Sequence, residues 1–393
     1  MPVADKIKDS LAHSSMIRKM FEAGAQMRAE KGAENVFDFS LGNPNLEPPP
    51  AFKRALLKLL ADPAPGRHAY MPNAGIPSTR ADIAAYLRRQ FGYGFTAEHI
   101  IMTVAAGGAL NVILKTLTNP GSELIVPMPY FVEYDAYIEN HGGKVRRVAT
   151  ERDFTLNLDA IAEACNENTI GILINTPNNP TGVVYSPRDL EKLGRLLEEL
   201  SAGQGRALYL ICDEPYRQLV YDGREAGNVF ACYPNTVVAT SFSKNLSLPG
   251  ERIGYIALHP QAADSELLLA GMILCNRILG YVNAPALMQR AVAMLLEEKA
   301  DIAQYEKKRD LMCQVLDEAG FSYVKPGGAF YVFPRCPIDD DVAFAAAAIQ
   351  ENILLVPGSG FMGPKHFRLA FCCADETITR SLPAFKRLRA RYR

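Results

Sequence analysis

Short apolar runs recur between about residue 99 and residue 258, and each has the length of a β-strand. Stretches with a helical distribution of Leu, Glu and Arg, such as 187–200, lie between most of them. Several runs are apolar at nearly every position, which is typical of strands that are covered on both faces. The runs are HIIMTV, ELIVP, KVRRVA, TIGILIN, ALYLICD, TVVATS and RIGYIAL. This alternation of strands and helices predicts a mainly parallel sheet in an α/β fold.

The end of the chain has a different pattern. After about residue 283, two long helical patterns, PALMQRAVAMLLEE and QYEKKRDLMCQVLDEAG, precede YVKPGGAFYVFP and a last strand, HFRLAFC. These elements predict a second, smaller α+β domain. We therefore expect a large domain over 48–282, a small domain over 283–393, and an N-terminal arm, 1–47, that joins the small domain.

An amphipathic helix is predicted from Ser14 to about Lys31, with Ser14 or Ser15 as its cap. Its apolar face would be formed by Ile17, Met20, Phe21 and Ala25. The following segment, FSLGNPNLEPPP, contains Gly42 and a run of prolines at 48–50, and it predicts a break in regular structure. A glycine in such a connector also lets a ligand approach the backbone closely.

The balance of acidic and basic residues indicates which kinds of partner the protein does not bind. The 393 residues include 42 Lys and Arg against 43 Asp and Glu, a formal net charge of −1. Proteins that bind nucleic acid or a membrane surface usually carry a basic excess, so we expect neither partner. The N-terminus, MPVADKIKDS, lacks a signal-peptide pattern, and no apolar run reaches the length of a membrane span. We expect a soluble, cytoplasmic protein that acts on a small molecule.

The eight cysteines are scattered, and Cys372 and Cys373 form the one adjacent pair. No C-x-x-C motif occurs, and neither the cysteines nor the six histidines have metal-ligand spacing. A chain of this length does not need disulfides to stabilise its core. We therefore expect free thiols and no metal site.

Polar and small residues follow four of the predicted strands. The small residues 105–108 come after HIIMTV and precede a helix that is predicted to open at Ala109. The loop 176–182, TPNNPTG, follows TIGILIN, and the strand ALYLICD ends in Asp213. TVVAT leads to Lys244, which lies between hydroxyl residues and a proline-glycine turn. Each of these segments alone also fits an ordinary turn or tight packing. In doubly wound sheets, however, ligands bind beyond the carboxyl ends of the strands, so we expect these groups to converge.

The combination of groups matches the needs of a pyridoxal 5'-phosphate site. The cofactor's aldehyde needs a partly desolvated lysine, which Lys244 supplies. Its ring nitrogen stays protonated beside a buried carboxylate, which Asp213 supplies. Its phosphate needs a helix N-terminus, hydroxyl groups and an arginine, all of which are present near the strand ends.

Three motifs resemble those of the class I/II aminotransferases, which depend on pyridoxal phosphate and are similar to aspartate aminotransferase. They are NNPTG at 178–182, DEPY at 213–216 and SFSKNLSLPGERIGY at 241–255, and the resemblance extends over nearly the whole chain. It implies the fold-type I architecture, with a seven-stranded, mainly parallel sheet between helices and a smaller α+β domain. It also implies transfer of an amino group between an α-amino acid and a 2-oxo acid by a ping-pong mechanism.

The resemblance also implies a role for each matching residue. Lys244 would bind the cofactor covalently and then transfer the proton, while Asp213 would pair with the ring nitrogen. Asn179 and Tyr216 would donate hydrogen bonds to the phenolic oxygen, and Phe131 would stack on the ring. Cofactor phosphate would be held by the backbone of Gly107 and Gly108 together with Ser241, Ser243 and Arg252. The substrate α-carboxylate would be bound by Arg368, Gly42 and Asn179.

Tyr70, in HAYMPNAG, matches a tyrosine that reaches the cofactor phosphate of a neighbouring subunit. The resemblance therefore implies a homodimer with shared active sites. One position departs from the family pattern: Gly107 stands where some members that act on acidic substrates have a lysine. This departure favours uncharged substrates over aspartate, with Arg277, Arg146 and Arg147 as alternative partners for a distal carboxylate.

Two other functions remain open at this point. A carbon–sulfur β-lyase or another elimination enzyme would use the same cofactor pocket and differ only in the group that leaves. A ligand-sensing module without catalytic activity is the third alternative. Such a module normally needs an attached DNA-binding domain, and residues 1–40 are too short and lack a basic face.

Overall fold

The computed structural model of the chain describes residues 3–12, residue 24 and residues 26–392. Most of the predicted helix from Ser14 to Lys31, including the apolar face formed by Ile17, Met20, Phe21 and Ala25, lies outside these residues. Residues 26–31 are helical.

The seven predicted strands form one sheet. In the part of the chain described, the strands are β1 (Phe37–Asp38), β2 (Ile100–Thr103), β3 (Glu123–Met128), β4 (Lys144–Ala149), β5 (Thr169–Asn175), β6 (Tyr209–Asp213), β7 (Thr236–Ser241), β8 (Gly254–Leu258), β9 (Tyr331–Val332), β10 (Ile353–Leu354), β11 (Val356–Pro357) and β12 (Phe367–Ala370). The order in the large sheet is β2-β8-β7-β6-β5-β3-β4. Strand β8 is antiparallel to both of its neighbours, and the other pairings are parallel. The predicted α/β class with a mainly parallel sheet is confirmed.

Helices cover both faces of this sheet. Besides residues 26–31, the α-helices in the described residues are α1 (Asp5–Ala12), α2 (Pro50–Ala61), α3 (Pro77–Phe91), α4 (Ala105–Leu117), α5 (Glu133–Glu139), α6 (Leu158–Ala164), α7 (Pro187–Gln204), α8 (Val229–Cys232), α9 (Ser265–Ile278), α10 (Ala286–Ala293), α11 (Ile302–Ala319), α12 (Asp341–Gln350), α13 (Asp375–Arg380) and α14 (Leu382–Ala390). Short 3₁₀ segments lie at Ala33–Asn35, Ala97–His99, Pro249–Glu251 and Gly358–Phe361. Within the ranges described, no helix combines the length and the apolar character that crossing a membrane requires.

Successive side chains of the central strands point to opposite faces, which explains their continuous apolar sequences. On β6, Leu210 packs into the core beneath α3 and α7, whereas Ile211 packs into the core beneath α4 and α9. Both side chains are fully buried. The edge strand β4 is different: its sequence KVRRVA is largely exposed, and its charged side chains discourage pairing with another chain.

A third core lies in the C-terminal part, where α11–α14 pack on a three-stranded antiparallel sheet of order β11-β12-β9. Strand β1 pairs in parallel with β10, and Phe39 is buried in the same core. Residues 37–39 of the N-terminal segment are thus packed against the C-terminal part. The exact domain bounds of 48–282 and 283–393 stay predictions.

Two helix predictions need correction. Helix α4 begins at Ala105, four residues before the predicted start at Ala109, so both glycines belong to its first turn. Glycine is a poor helix former, but a Cβ atom would lie 3.2 Å from the Tyr137 hydroxyl oxygen at Gly107 and 3.3 Å from the Val104 Cβ at Gly108, so tight packing favours glycine at both positions. Helix α10 ends at Ala293, earlier than the pattern up to residue 298 suggested, and turns follow it.

Candidate active site

The carboxyl ends of β5, β6 and β7 open into one cavity of about 360 Å³. Eleven of the thirteen predicted site residues line it. They are Gly42, Gly107, Phe131, Asn179, Asp213, Tyr216, Ser241, Ser243, Lys244, Arg252 and Arg368. The residues that follow the strand ends therefore lie around one cavity, as expected.

Lys244 follows β7, and its side chain extends toward the N-terminal segment. Its Nζ donates a hydrogen bond of 2.8 Å to the backbone oxygen of Gly42. Burial lowers the pKa of Lys244 to about 8, because the charged ammonium loses solvation in the cavity wall. A fraction of the amine is consequently neutral near physiological pH, as a nucleophilic lysine requires.

Asp213 is the last residue of β6, and its carboxylate is buried. Tyr134 donates a 2.6 Å hydrogen bond to Oδ2, while Oδ1 has no hydrogen-bond partner among the described residues. Burial raises the pKa of Asp213 to about 7, and the hydrogen bond from Tyr134 opposes this effect. A buried carboxylate oxygen without a donor is costly, so this atom is suited to a protonated group of a bound molecule.

The side chain of Asn175 connects the loop after β5 to the end of β6. The side chain of Asn175 donates to the backbone oxygen of Asp213 at 2.8 Å, and it accepts the backbone N–H of Asn179 at 2.7 Å. Asn178 in turn accepts hydrogen bonds from both the N–H and the hydroxyl group of Thr181. These contacts give the NNPTG segment a structural reason for its polarity and hold Asn179 at the cavity.

The first turn of α4 forms one wall of the cavity. The Gly108 N–H already donates to the Val104 oxygen at 3.2 Å, whereas the N–H groups earlier in this turn, including that of Gly107, have no acceptor within the helix. Ser241, Ser243 and Arg252 line the same cavity. A helix N-terminus, two hydroxyl groups and a guanidinium together make a site for an anion such as phosphate.

Arg368 lies on β12 and is buried at 2% exposure. Its Nη1 donates to Asn179 Oδ1 at 3.1 Å and its Nη2 donates to the Ser40 oxygen at 2.5 Å, whereas Nε has no partner in the part of the chain described. The Tyr331 and Phe361 rings lie 4.6 and 4.5 Å from its guanidinium carbon. The fork is thereby held rigidly for a planar anion such as a carboxylate.

Two further contacts shape the wall near Arg368. The Tyr216 and Tyr331 hydroxyl groups are 3.0 Å apart and share a hydrogen bond. A Cβ atom at Gly42 would overlap the Tyr331 side chain, so only glycine fits this position without displacing the ring.

Two predicted residues lie outside this cavity wall. Gly108 is buried within α4, and Tyr70 is exposed at 93% on the surface. Of the three alternative arginines, Arg147 is held by Asp135 and Tyr130 at 2.8 and 2.7 Å. Structural pairing therefore accounts for Arg147.

The sequence indicated no role for several residues of the site. Among them are Glu133, Tyr134, Asn175 and Tyr331. Asn175 had a usable signal, since it is a polar residue that ends the otherwise apolar strand TIGILIN. The two tyrosines and Glu133 lie in helix and strand sequences that carry no such mark.

Comparisons with known proteins agree with this geometry. The profile of the family "Aminotransferase class I and II" matches residues 34–385. An aspartate/prephenate aminotransferase of Thermus thermophilus is 31% identical over 358 residues, which cover 89% of this chain and 90% of the relative. Aromatic-amino-acid aminotransferase 2 of Thermococcus litoralis is 28% identical, in an alignment that covers 99% of this chain and 98% of the relative.

Solved structures give the same result. An aminotransferase from Eubacterium rectale superposes with a TM-score of 0.97 at 38% identity, covering 100% of this chain and 99% of that one. Aspartate aminotransferase from Thermus thermophilus with maleate superposes with a TM-score of 0.86 at 29% identity, with coverages of 95% and 96%. The chain belongs to the class I and II aminotransferase family, and it is an enzyme that transfers amino groups.

Proposed function

We propose that this aminotransferase binds pyridoxal 5'-phosphate on Lys244 and uses it to exchange an amino group between an α-amino acid and a 2-oxo acid. One observation carries the proposal: a desolvated lysine and a buried aspartate with an unpartnered oxygen face the same cavity beside a helix N-terminus. These groups fit the aldehyde, the ring nitrogen and the phosphate of this cofactor. The relatives belong to a family that generally depends on it.

When bound, the cofactor supplies an aldehyde that takes the amino group and a ring that withdraws electrons from the substrate carbon. Asp213 would keep the ring nitrogen protonated through its free Oδ1, and Tyr134 would hold the carboxylate in position through Oδ2. The first turn of α4, Ser241, Ser243 and Arg252 would hold the phosphate, and Phe131 would cover the ring.

Lys244 would act as the acid and base that moves the proton of the substrate carbon. A pKa near 8 suits this role, because the amine can both accept and return a proton near neutral pH. Asn179 and Tyr216 would donate to the phenolic oxygen. The Asn179 carbonyl is occupied by Arg368, so its amide N–H₂ group is the part left to donate.

Substrate recognition would begin with the α-carboxylate. Arg368 is charged, buried and incompletely hydrogen-bonded, so a bound carboxylate would accept the hydrogen bonds that its guanidinium can still donate. Gly42 would let the substrate approach the backbone. We infer that α-amino acids are substrates and that simple amines are not. Gly107 has no side chain to meet a second carboxylate, so uncharged amino acids should be preferred to aspartate.

We also infer a homodimer in which Tyr70 of one subunit reaches the cofactor phosphate of the other. Tyr70 is 93% exposed and lies outside the cavity of its own chain, which leaves its aromatic side chain free for such a contact. Sedimentation at assay concentration tests this inference. An active monomer would contradict it.

The cofactor assignment is tested by borohydride reduction of the loaded protein followed by peptide mapping. We expect one modified peptide, which carries the cofactor on Lys244, and we expect Lys244→Ala to lose both the label and the turnover. Reduction at another lysine, or an active Lys244→Ala variant, would overturn the proposal.

A further inference from the structure

We propose that Glu133 selects substrates whose side chain carries an amine, and that it does so by pairing with that amine inside the active-site cavity. This inference rests on the proposed function, because it takes the substrate to be an α-amino acid held by Arg368. It adds a substrate class that the amino-transfer chemistry itself does not specify.

Glu133 is the first residue of α5 and lines the same cavity as Lys244 and Arg368. Its Oε2 is buried and has no hydrogen-bond partner among the described residues. A carboxylate oxygen in this condition is costly unless a donor or a cation reaches it. The lack of a donor within the described part of the chain points to a donor on the ligand.

Arg368 directs its hydrogen bonds away from Glu133. It lies close enough to stabilise the charge of Glu133, yet its guanidinium donates instead to Asn179 and Ser40. Burial raises the pKa of Glu133 because the carboxylate loses solvation, and a hydrogen bond from the backbone of Glu133 and the charge of Arg368 oppose this with smaller effects. The Oε2 atom of Glu133 is therefore left for another partner.

Glu133, Tyr137 and Gly107 line the same cavity, and the inference places the substrate side chain beside them. Tyr137 and Tyr331 both experience the charge of Glu133, and the Tyr137 hydroxyl group lies 3.2 Å from the position of a Cβ built on Gly107. An aspartate side chain at this end would meet a like charge and no cation from Gly107. An amine would meet a carboxylate instead.

Matched pairs of substrates isolate this effect. 2,4-Diaminobutyrate is compared with 2-aminobutyrate, and ornithine with norvaline, because the members of each pair differ chiefly by the terminal amine. For each compound, kcat/KM is measured with a common oxo-acid acceptor, and Kd is measured by calorimetry on the cofactor-loaded protein. Wild type, Glu133→Gln, Glu133→Asp and Glu139→Gln are compared. Glu139 lies at the other end of α5 and is exposed, so Glu139→Gln controls for loss of a surface charge.

We expect the wild type to prefer the diamino member of at least one pair by about tenfold or more, which corresponds to about 1.4 kcal/mol. Glu133→Gln should reduce that ratio by at least about fivefold, and Glu133→Asp, which keeps the charge, should retain part of it. Glu139→Gln should leave the ratio unchanged. A smaller reduction in Glu133→Gln, or a wild type without the preference, would overturn the inference.

The two readouts separate this inference from the proposed function. A protein that binds the pairs with the expected ratio but releases ammonia instead of transferring the amino group would support the role of Glu133. The same result would overturn amino transfer as the reaction. Glu133→Asp also keeps the inference testable if Glu133→Gln fails to fold.

Discussion

Replacement of Asp213 by asparagine should stabilise the cofactor-free protein at alkaline pH, although it removes the carboxylate that we propose to pair with the ring nitrogen of the cofactor. Burial raises the pKa of Asp213 to about 7 from the usual value of 3.8. Asp213 therefore ionises less readily in the folded chain than in the unfolded chain. As a result, the free energy of unfolding falls as the pH rises from about 3.8 to about 7, and it is level above that. Each pKa unit between the two states corresponds to about 1.4 kcal/mol, so the cost is about 4 kcal/mol at pH 8 and about 2 kcal/mol at pH 5.

The amide that replaces the carboxyl group in Asp213→Asn cannot ionise, so the variant escapes this cost. Urea unfolding of the cofactor-free proteins at about pH 5 and about pH 8 measures the difference in free energy of unfolding between variant and wild type. We expect this difference to shift in favour of Asp213→Asn by about 2.5 kcal/mol between the two pH values. Asp82→Asn, which removes an exposed carboxylate on α3, should show no such shift. A difference that is the same at both pH values within about 0.5 kcal/mol would refute the reasoning.

Two further substitutions probe the site. Arg368→Lys keeps the charge but loses the two parallel donors of the guanidinium group. The KM for amino acids should therefore rise by about tenfold or more, while the Kd for pyridoxal phosphate should change by less than about twofold. An unchanged KM would mean that the α-carboxylate binds elsewhere. Tyr134→Phe removes the 2.6 Å hydrogen bond that lowers the pKa of Asp213, so that pKa should rise further. The kcat of Tyr134→Phe should fall by about tenfold, and the acid limb of its pH profile should move to higher pH. An acid limb that does not move would show that the role of Tyr134 is purely structural.

The central strands of the large sheet could be predicted because burial on both faces leaves a continuous apolar sequence at each of them, whereas the edge strand β4 is largely exposed. The end of a strand is also marked in sequence, which is why Lys244 and Asp213 could be placed at one edge. The start of α4 could not be predicted correctly, since two glycines in a first turn look like a loop. Close packing against Tyr137 and Val104 favours glycine at these two positions although its helix propensity is low.

Other parts of the site depend on contacts between distant segments. Tyr134 donates to Asp213, 79 positions further along the chain, and Tyr216 meets Tyr331 across 115 positions. No local pattern records such a pairing, because each tyrosine alone looks like a core residue. Glu133 is similar: in sequence it is an acidic residue that opens a helix, and its burial becomes visible only once α5 is packed on the sheet.

Transfer of the amino group itself is tested most directly with a ¹⁵N-labelled amino acid and the cofactor-loaded protein. In the absence of an acceptor, we expect one oxo acid per active site and retention of the label on the protein. Addition of a different oxo acid should then release the label as the corresponding amino acid, with none of it lost as ammonia. Release of labelled ammonia, or turnover without an oxo-acid acceptor, would contradict amino transfer and indicate elimination instead.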